Sequence, residues 1–262
     1  MSDFGHQDEF VGVVHGVLAR IAPDSRIIDI SHGVKPGDVR AGALTLMRAI
    51  QYLPQGVALA VVDPGVGTPR KPIAAETPWG FFVGPDNGLL SPAVAMVGGA
   101  SRIVAIENPE LVIPSEGATF DGRDRFGPAA AVLATGEVRL ADLGSEVDPS
   151  AVMPLILPLS HAEGGVIAGQ TWWIDRFGNA QTNVSPEELT SLGLQPGSEV
   201  TVKVGNRDHT LPWVVAYGEV EPGSPLVHVD SYGLIALAVR EGRADEWFGL
   251  SEGTAVSFGA PS

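Results

Sequence analysis

The chain contains no cysteine, which excludes disulfides and thiolate chemistry and is neutral about compartment. No apolar run approaches the ~18 uninterrupted residues of a membrane span. The first residues lack a basic region followed by an apolar stretch, so no signal peptide is visible. Basic residues are scarce, 16 against 31 acidic ones, for a formal net charge of -15. Without a clustered basic surface to neutralise phosphates, nucleic acid is not an expected partner. The acidic field serves solubility and mildly favours a cationic small molecule. The six histidines (His6, His15, His32, His161, His209 and His228) show no metal-ligand spacing. There is no Walker-type phosphate loop, no strand-linked GxGxxG and no Gly-x-Ser-x-Gly elbow. Metals, nucleoside triphosphates and acyl-serine chemistry are therefore unsupported, no cofactor is expected, and a soluble cytoplasmic protein is.

What is present is a core-forming composition: 262 residues, 44% hydrophobic and 18% charged. Glycine (33) and proline (21) suit many tight loops between short elements. Up to about residue 155 helical and strand-like patterns alternate, which predicts an α/β domain with a mostly parallel sheet flanked by helices. Gln7 to Ile21 carries an apolar helical stripe, in which Gly12 and Gly16 are expected to admit a close neighbour. Arg26 to Ile30 reads as a short strand and Val39 to Leu53 as a helix. Val57 to Val62, Gly80 to Val83 and Arg102 to Ile106 read as strands, and Phe126 to Leu133 as a helix. Around Pro154 to Gly165 the texture changes. From about residue 163 to 262 short strands separated by turn residues predict a smaller antiparallel, barrel-like β domain. Its one helix is signalled by Ser185-Pro186-Glu187-Glu188, a capping serine with glutamate at the third position.

The most informative stretch is Val61-Val62-Asp63-Pro64-Gly65-Val66-Gly67-Thr68-Pro69-Arg70, read with Thr119-Phe120-Asp121-Gly122-Arg123-Asp124. A buried strand ends in an aspartate, turns through two glycines and presents an arginine seven positions on. Such groups at a strand end are costly unless paired or facing a site. The other motifs are individually ambiguous. Asp3 in Ser2-Asp3-Phe4-Gly5 suits either a ribose diol or a helix cap. In Gly84-Pro85-Asp86-Asn87-Gly88, Asp86 or Asn87 is expected to cap the next helix. Asp175-Arg176-Phe177-Gly178-Asn179 reads as an adenine clamp or as a plain hairpin turn. Asp230-Ser231-Tyr232-Gly233 reads as a carboxylate-binding loop or another turn.

Taken in order and spacing, these motifs resemble the S-adenosyl-L-methionine hydroxide adenosyltransferase family, the adenosine-forming SAM hydrolases, relatives of the fluorinase and chlorinase. The resemblance covers nearly the whole chain. It implies attack of water or hydroxide on C5′ of S-adenosylmethionine, releasing methionine and forming adenosine. It further implies that Asp63 and Arg70 match two members of a water-holding Asp-Arg-His constellation, and that Asp3 grips the ribose. Phe177 and Asn179 match adenine contacts, Asp175 and Ser231 match groups around the methionine ends, and Phe120 and Gly122 match the pocket wall beside the nucleophile. A homotrimer with sites at subunit interfaces is implied as well.

The chain departs from that family at position 121. The hydrolases read Phe-His-Gly-Arg-Asp; here Phe120-Asp121-Gly122-Arg123-Asp124 stands. Three outcomes stay open: Asp121 pairs with Arg70 and accepts the proton, Asp121 only preserves the loop, or the chain binds SAM without turnover. Retained hydrolysis is the expectation. Halide chemistry is disfavoured, because Asp63 and Asp121 repel an incoming anion, Gly122 stands where the resemblance places a fluoride-binding serine, and no extra loop follows Pro92. Relatives carry a strand before the Ser-Asp-Phe-Gly turn, so either residues precede Met1 or the sheet lacks that strand.

Overall fold

The computed structural model describes residues 1–261. They divide into two compact units, residues 1–156 and 157–262, the second described to residue 261.

The first unit is α/β. Helices α1 (Phe10–Ile21) and α2 (Val39–Ile50) precede β1 (Gly56–Leu59), and β2 (Pro72–Thr77) and β3 (Gly80–Pro85) follow. Next come α3 (Ser91–Met96), β4 (Arg102–Ala105) and α4 (Gly127–Thr135). The strand order is β1-β3-β2-β4. The α/β class holds, with mixed pairing in place of a mostly parallel sheet: β1 runs parallel to β3, and β2 is antiparallel to both β3 and β4. The cause is local. Only Pro78 and Trp79 separate β2 from β3, and so short a connection permits an antiparallel hairpin but no crossover.

Buried apolar side chains hold this unit. Val61, Val83, Val104, Ile106, Phe126 and Leu133 form one continuous cluster from the sheet and its strand ends, the turn before α4, and α4 itself, each burial contributing about 1.5–3 kcal/mol. On α2, Leu44, Leu46 and Ile50 are fully buried, and the helix starts where Asp38 accepts a hydrogen bond from the Ala41 N–H at 2.9 Å.

Three local expectations are corrected. Arg26 to Ile30 forms no ladder: Ile27 and Ile28 remain about two-fifths exposed, and the segment's inter-strand bond comes only after it, from the Ser2 N–H to the Ser31 carbonyl. Strand-forming residues without a neighbouring strand have nowhere to send their backbone groups but water. Gly12 and Gly16 face outward with no atom within 4 Å of a hypothetical Cβ, because the apolar stripe Val11, Val14 and Val17 occupies the buried face. Neither Asp86 nor Asn87 caps α3, whose N-cap is Leu90. Instead Asp86 accepts from the Met153 N–H, and Asn87 donates to the Val62 carbonyl at 2.9 Å. At the other side of β1, Ser2 pairs parallel with Val61.

The second unit is an antiparallel β structure. Its elements are β5 (His161–Glu163), β6 (Val166–Ile174), β7 (Ala180–Thr182), α5 (Pro186–Ser191), β8 (Glu199–Val204) and β9 (Arg207–Pro212). After them come β10 (Pro225–Val229), β11 (Ile235–Val239), α6 (Ala244–Phe248) and β12 (Ala255–Gly259). The order is β10-β11-β7-β6-β12-β8-β9, with β5 on β6. A bridge between Trp213, just past β9, and Val227 of β10 brings the two ends together, so the sheet is nearly closed. Val200, Val202, Leu211, Trp213, Leu237 and Phe258 fill the interior. At α5 the expected capping box is formed: Ser185 Oγ accepts from the Glu188 N–H at 3.3 Å, and Glu188 Oε2 from the Ser185 N–H at 2.7 Å.

Candidate functional site

In the first unit the segment after β1 turns at Asp63-Pro64-Gly65 and doubles back. A Cβ on Gly65 would lie 3.2 Å from Arg70 Cγ and 3.6 Å from Asp63 Oδ1, so glycine leaves room for the arginine stem to fold over the aspartate. The Arg70 Nε then donates to Asp63 Oδ1 at 2.9 Å and Nη2 to Asp63 Oδ2, a two-pronged pair. The same Nη2 donates to Asp121 Oδ2 at 2.6 Å. Side-chain exposure is 10% for Arg70, 5% for Asp63 and 14% for Asp121, so the three charges are held largely away from water. The guanidinium also lies 5.1 Å above the Phe126 ring. Burial by itself lowers the Arg70 pKa, but its hydrogen bonds to Asp63 and Asp121 outweigh that, and the net direction is upward. Arg70 is a permanent cation here.

Asp121 sits at the start of a π-helical turn, Gly122–Phe126, in which the Gly127 N–H reaches back to the Gly122 carbonyl. This wide turn, a form often found at functional positions, runs directly into α4. The other Asp121 oxygen, Oδ1, lies 3.3 Å from the half-exposed Arg125 Nε. Beside it Phe120 packs edge-on against Phe4 and Phe10, which are tilted against each other, with centroids 5.1–6.0 Å apart. Gly122 lies under them: a Cβ there would come 2.9 Å from Phe4 Cζ. Arg123 and Asp124 pair with each other at 2.6 and 2.9 Å and stay outside the Arg70 cluster.

Asp3 lies at the same end of β1, its N–H directed at the Val61 carbonyl. Its Oδ2 accepts from the Gly37 N–H at 2.8 Å, which fixes the carboxylate against the loop before α2. Thus Asp3, Asp63, Arg70, Phe120, Asp121 and Gly122 are all carried on loops and turns of the first unit.

The remaining expected residues belong to the second unit. Asp175 organises the turn between β6 and β7: Oδ1 accepts from the Phe177 and Asn179 N–H groups at 2.8 and 2.9 Å, and Oδ2 from Asn179 Nδ2 at 2.9 Å. Phe177 is left 68% exposed. A cleft around this turn is lined also by Tyr217, Arg240, Glu241 and Arg243, which nothing in the motif spacing picked out. The Tyr217 pKa is raised first by burial and then by the charges of Asp175 and Asp230, so the phenol keeps its proton as a donor. Ser231 stands apart, exposed on the β10–β11 hairpin, where Asp230 Oδ1 accepts from the Tyr232 and Leu234 N–H groups.

Histidine spacing in the sequence shows no ligand set, yet His15, Asp29 and His32 converge in the fold, with one donor atom of each within 4.8 Å of the others. The signal is not legible in spacing, because His15 belongs to α1 while Asp29 and His32 lie on the segment beyond it.

The first unit is thus an α/β domain with a buried carboxylate–guanidinium cluster at its strand ends, and the second a nearly closed β domain with an aromatic–amide turn beside a cleft. The sequence profile of the SAM hydroxide adenosyltransferase N-terminal domain matches residues 1–144, and that of the corresponding C-terminal domain residues 169–257. The chain belongs to this family. It is 45% identical, over 96% of its length and 93% of the relative, to a protein of Salinispora tropica named (R)-S-adenosyl-L-methionine hydrolase. A fluorinase of Actinoplanes sp. is more distant, 27% identical over 91% of this chain and 89% of its own. Among solved structures, an uncharacterized conserved protein from Thermotoga maritima superposes with a TM-score of 0.92 at 35% identity, covering 98% of each chain.

Proposed function

We propose that the protein hydrolyses S-adenosyl-L-methionine to adenosine and L-methionine. The observation that carries the reading is the closure of Asp121 onto Arg70 beside Asp63: the position where the family histidine is replaced still completes a three-membered polar cluster. In the proposed step the oxygen of a water or hydroxide forms a bond to C5′ while the C5′–S bond breaks. The electron pair stays on sulfur, and methionine leaves as a neutral thioether. No nucleophilic side chain is required, since a sulfonium is already a good leaving group. Alignment and exclusion of competing water carry the catalysis, and positioning alone is worth on the order of 7–11 kcal/mol.

The roles follow from the hydrogen bonds. Arg70 cannot serve as a base, because guanidinium stays protonated; it binds and polarises the attacking oxygen. Asp63 spends both oxygens on Arg70 and fixes it. Asp121 gives one oxygen to Arg70 and holds the other only loosely against Arg125 at 3.3 Å, so Asp121 takes the proton when the nucleophile is water. Two carboxylates flank the one buried guanidinium, with the half-exposed Arg125 only at the rim, and fixed carboxylates beside the nucleophile repel halide and favour water. Asp3 holds the ribose, Phe120 and Gly122 wall the nucleophile, Phe177 and Asn179 take the adenine, and Asp175 and Ser231 take the methionine end. The active assembly is a cytoplasmic homotrimer in which neighbouring subunits share each substrate, and the reaction uses no cofactor.

The test is to incubate pure protein with each sulfur epimer of S-adenosylmethionine and follow adenosine and methionine by chromatography. Stoichiometric appearance of both products supports the proposal. The binding-only reading has its own support in the missing histidine, and it predicts saturable binding of S-adenosylmethionine with no adenosine.

A further inference from the structure

Three side chains that take no part in the proposed reaction form a second polar centre. His15 Nε2 lies 3.1 Å from Asp29 Oδ1, and His32 Nε2 lies 3.0 Å from the same oxygen. The other nitrogen of His32, Nδ1, is held at 2.7 Å by Ser2 Oγ, which also accepts from the Phe4 N–H at 3.3 Å. His32 is thus oriented from behind by a hydroxyl, the way ligating imidazoles are oriented through their second nitrogen. The cluster draws on three places: His15 on α1, Asp29 and His32 on the segment after it, and Ser2 on the turn that carries Asp3. All three line a cavity of about 210 Å³, whose other walls include Val11, Val14, Leu18 and Ile28.

The geometry points to a zinc site formed by His15 Nε2, His32 Nε2 and the Asp29 carboxylate. Two imidazoles and one carboxylate match zinc, whereas calcium and magnesium prefer oxygen alone. Ligands about 2.0–2.1 Å from a tetrahedral zinc stand roughly 3.3 Å apart, so the two imidazole-to-carboxylate separations need to widen by only a few tenths of an ångström, and the three donor atoms already lie within 4.8 Å of one another. Three protein ligands leave the fourth position to water on the cavity side. The metal ties α1 to the irregular 26–32 segment, which His32 already joins to the Ser2-Asp3 turn, supplying a fastening where that segment has no ladder.

The alternative is a purely hydrogen-bonded cluster in which both Nε2 atoms carry protons and share Asp29. The two differ in the tautomer of His32. Metal binding at Nε2 requires the proton on Nδ1, donated to Ser2 Oγ, whereas the hydrogen-bonded cluster places it on Nε2 and makes Ser2 the donor. Cobalt(II), a coloured substitute for zinc, is titrated into tag-free, metal-stripped full-length protein and followed by its visible spectrum. The expected result is one cobalt per chain with tetrahedral intensity, displaced by zinc. Affinity falls at least tenfold, on the scale of 10–100-fold or more for disturbed ligand shells, in both His15→Ala and Asp29→Asn, and is unchanged in His161→Ala. His15 and Asp29 are 35% and 46% exposed at the side chain, so neither variant removes core packing. In nitrogen NMR the His32 ring shifts to the Nδ1–H tautomer on zinc addition. A featureless titration, retained affinity in either ligand variant, loss in His161→Ala, or an unchanged His32 tautomer overturns the proposal.

Discussion

The Arg70 Nη2 atom lies 2.6 Å from Asp121 Oδ2, although the two residues are 51 positions apart in sequence. One guanidinium therefore bridges two carboxylates, Asp63 by both its oxygens and Asp121 by one. A permanent cation fixed between a clamping carboxylate and a proton-accepting one gives the site its polarity, and each member has a distinct expected failure.

Removal of the cation is the most damaging change. In Arg70→Ala, Asp63 and Asp121 lose their shared partner in a poorly hydrated place, and the attacking oxygen loses its donor. Adenosine formation is expected to fall by about 10²–10³-fold, the loss seen when a preorganised donor is deleted. Asp63→Ala leaves Arg70 unclamped and falls similarly. Breaking a buried pair from one side costs about 3–5 kcal/mol, so thermal unfolding is measured beside turnover. An Arg70→Ala protein that folds and turns over at the parental rate eliminates this mechanism.

The substitution that distinguishes this chain is reversible by design. Asp121→His restores the family residue within reach of Arg70 and is expected to keep or raise adenosine release. It also adds an imidazole limb near neutral pH to the rate profile. Asp121→Asn keeps the shape and the bond to Arg70 but accepts no proton, so the rate with water falls by about 10²–10⁴-fold while SAM binding persists. Equal rates for the parent and the Asp121→Asn protein across pH rule out the proton-acceptor role.

Much of this was legible in the sequence, for physical reasons that differ by residue. The Asp63–Arg70 pair was readable because the turn through Gly65 is local and brings its ends together within seven positions. The α5 capping box was readable for the same reason: Ser185 and Glu188 settle their backbone groups between themselves. The mixed sheet was less so, since a run such as Ile73 to Glu76 has the same strand character in either direction, and only the shortness of the Pro78-Trp79 connection decides. Tyr217 and Arg243 come to the Asp175 turn through closure of the β unit, and His15 meets Asp29 and His32 through tertiary packing. No periodicity encodes such meetings.

Acid sensitivity is expected from His228. The ring is buried against Tyr217 at 5.0 Å; its Nδ1 lies 3.1 Å from the Val229 carbonyl, and Nε2 has no hydrogen-bond partner among the described residues. Burial lowers its pKa, only partly opposed by the Val229 carbonyl and the Asp230 and Asp175 charges. With the folded pKa below the unfolded value of 6.5, the unfolded state binds the proton first on acidification. Stability is therefore undiminished well above that value and declines as pH falls through it, levelling once the folded ring also protonates. The slope from one such group is at most about 1.4 kcal/mol per pH unit. Urea unfolding at about pH 8 and about pH 5 is expected to show a smaller acid loss in His228→Phe than in the parent. Equal losses exclude His228 as a source.

Phe177 separates binding from folding. The ring is 68% exposed and sits on a turn already secured by Asp175, so its removal costs little stability, within about 0.5 kcal/mol as for ordinary surface positions. Its proposed partner is the adenine face, and stacking of one base on an aromatic ring is worth about 1–3 kcal/mol. Phe177→Ala is therefore expected to weaken S-adenosylmethionine binding by roughly 5- to 150-fold, with an unchanged melting temperature. Because the adenine lies away from the reacting carbon, the loss falls mainly on KM and lightly on kcat. Phe177→Trp, which keeps a stacking face, restores KM. Calorimetric titration of the parent and both variants decides the matter: equal affinities for parent and Phe177→Ala remove Phe177 from the adenine site, and a drop in kcat at constant KM places its effect on the chemistry instead.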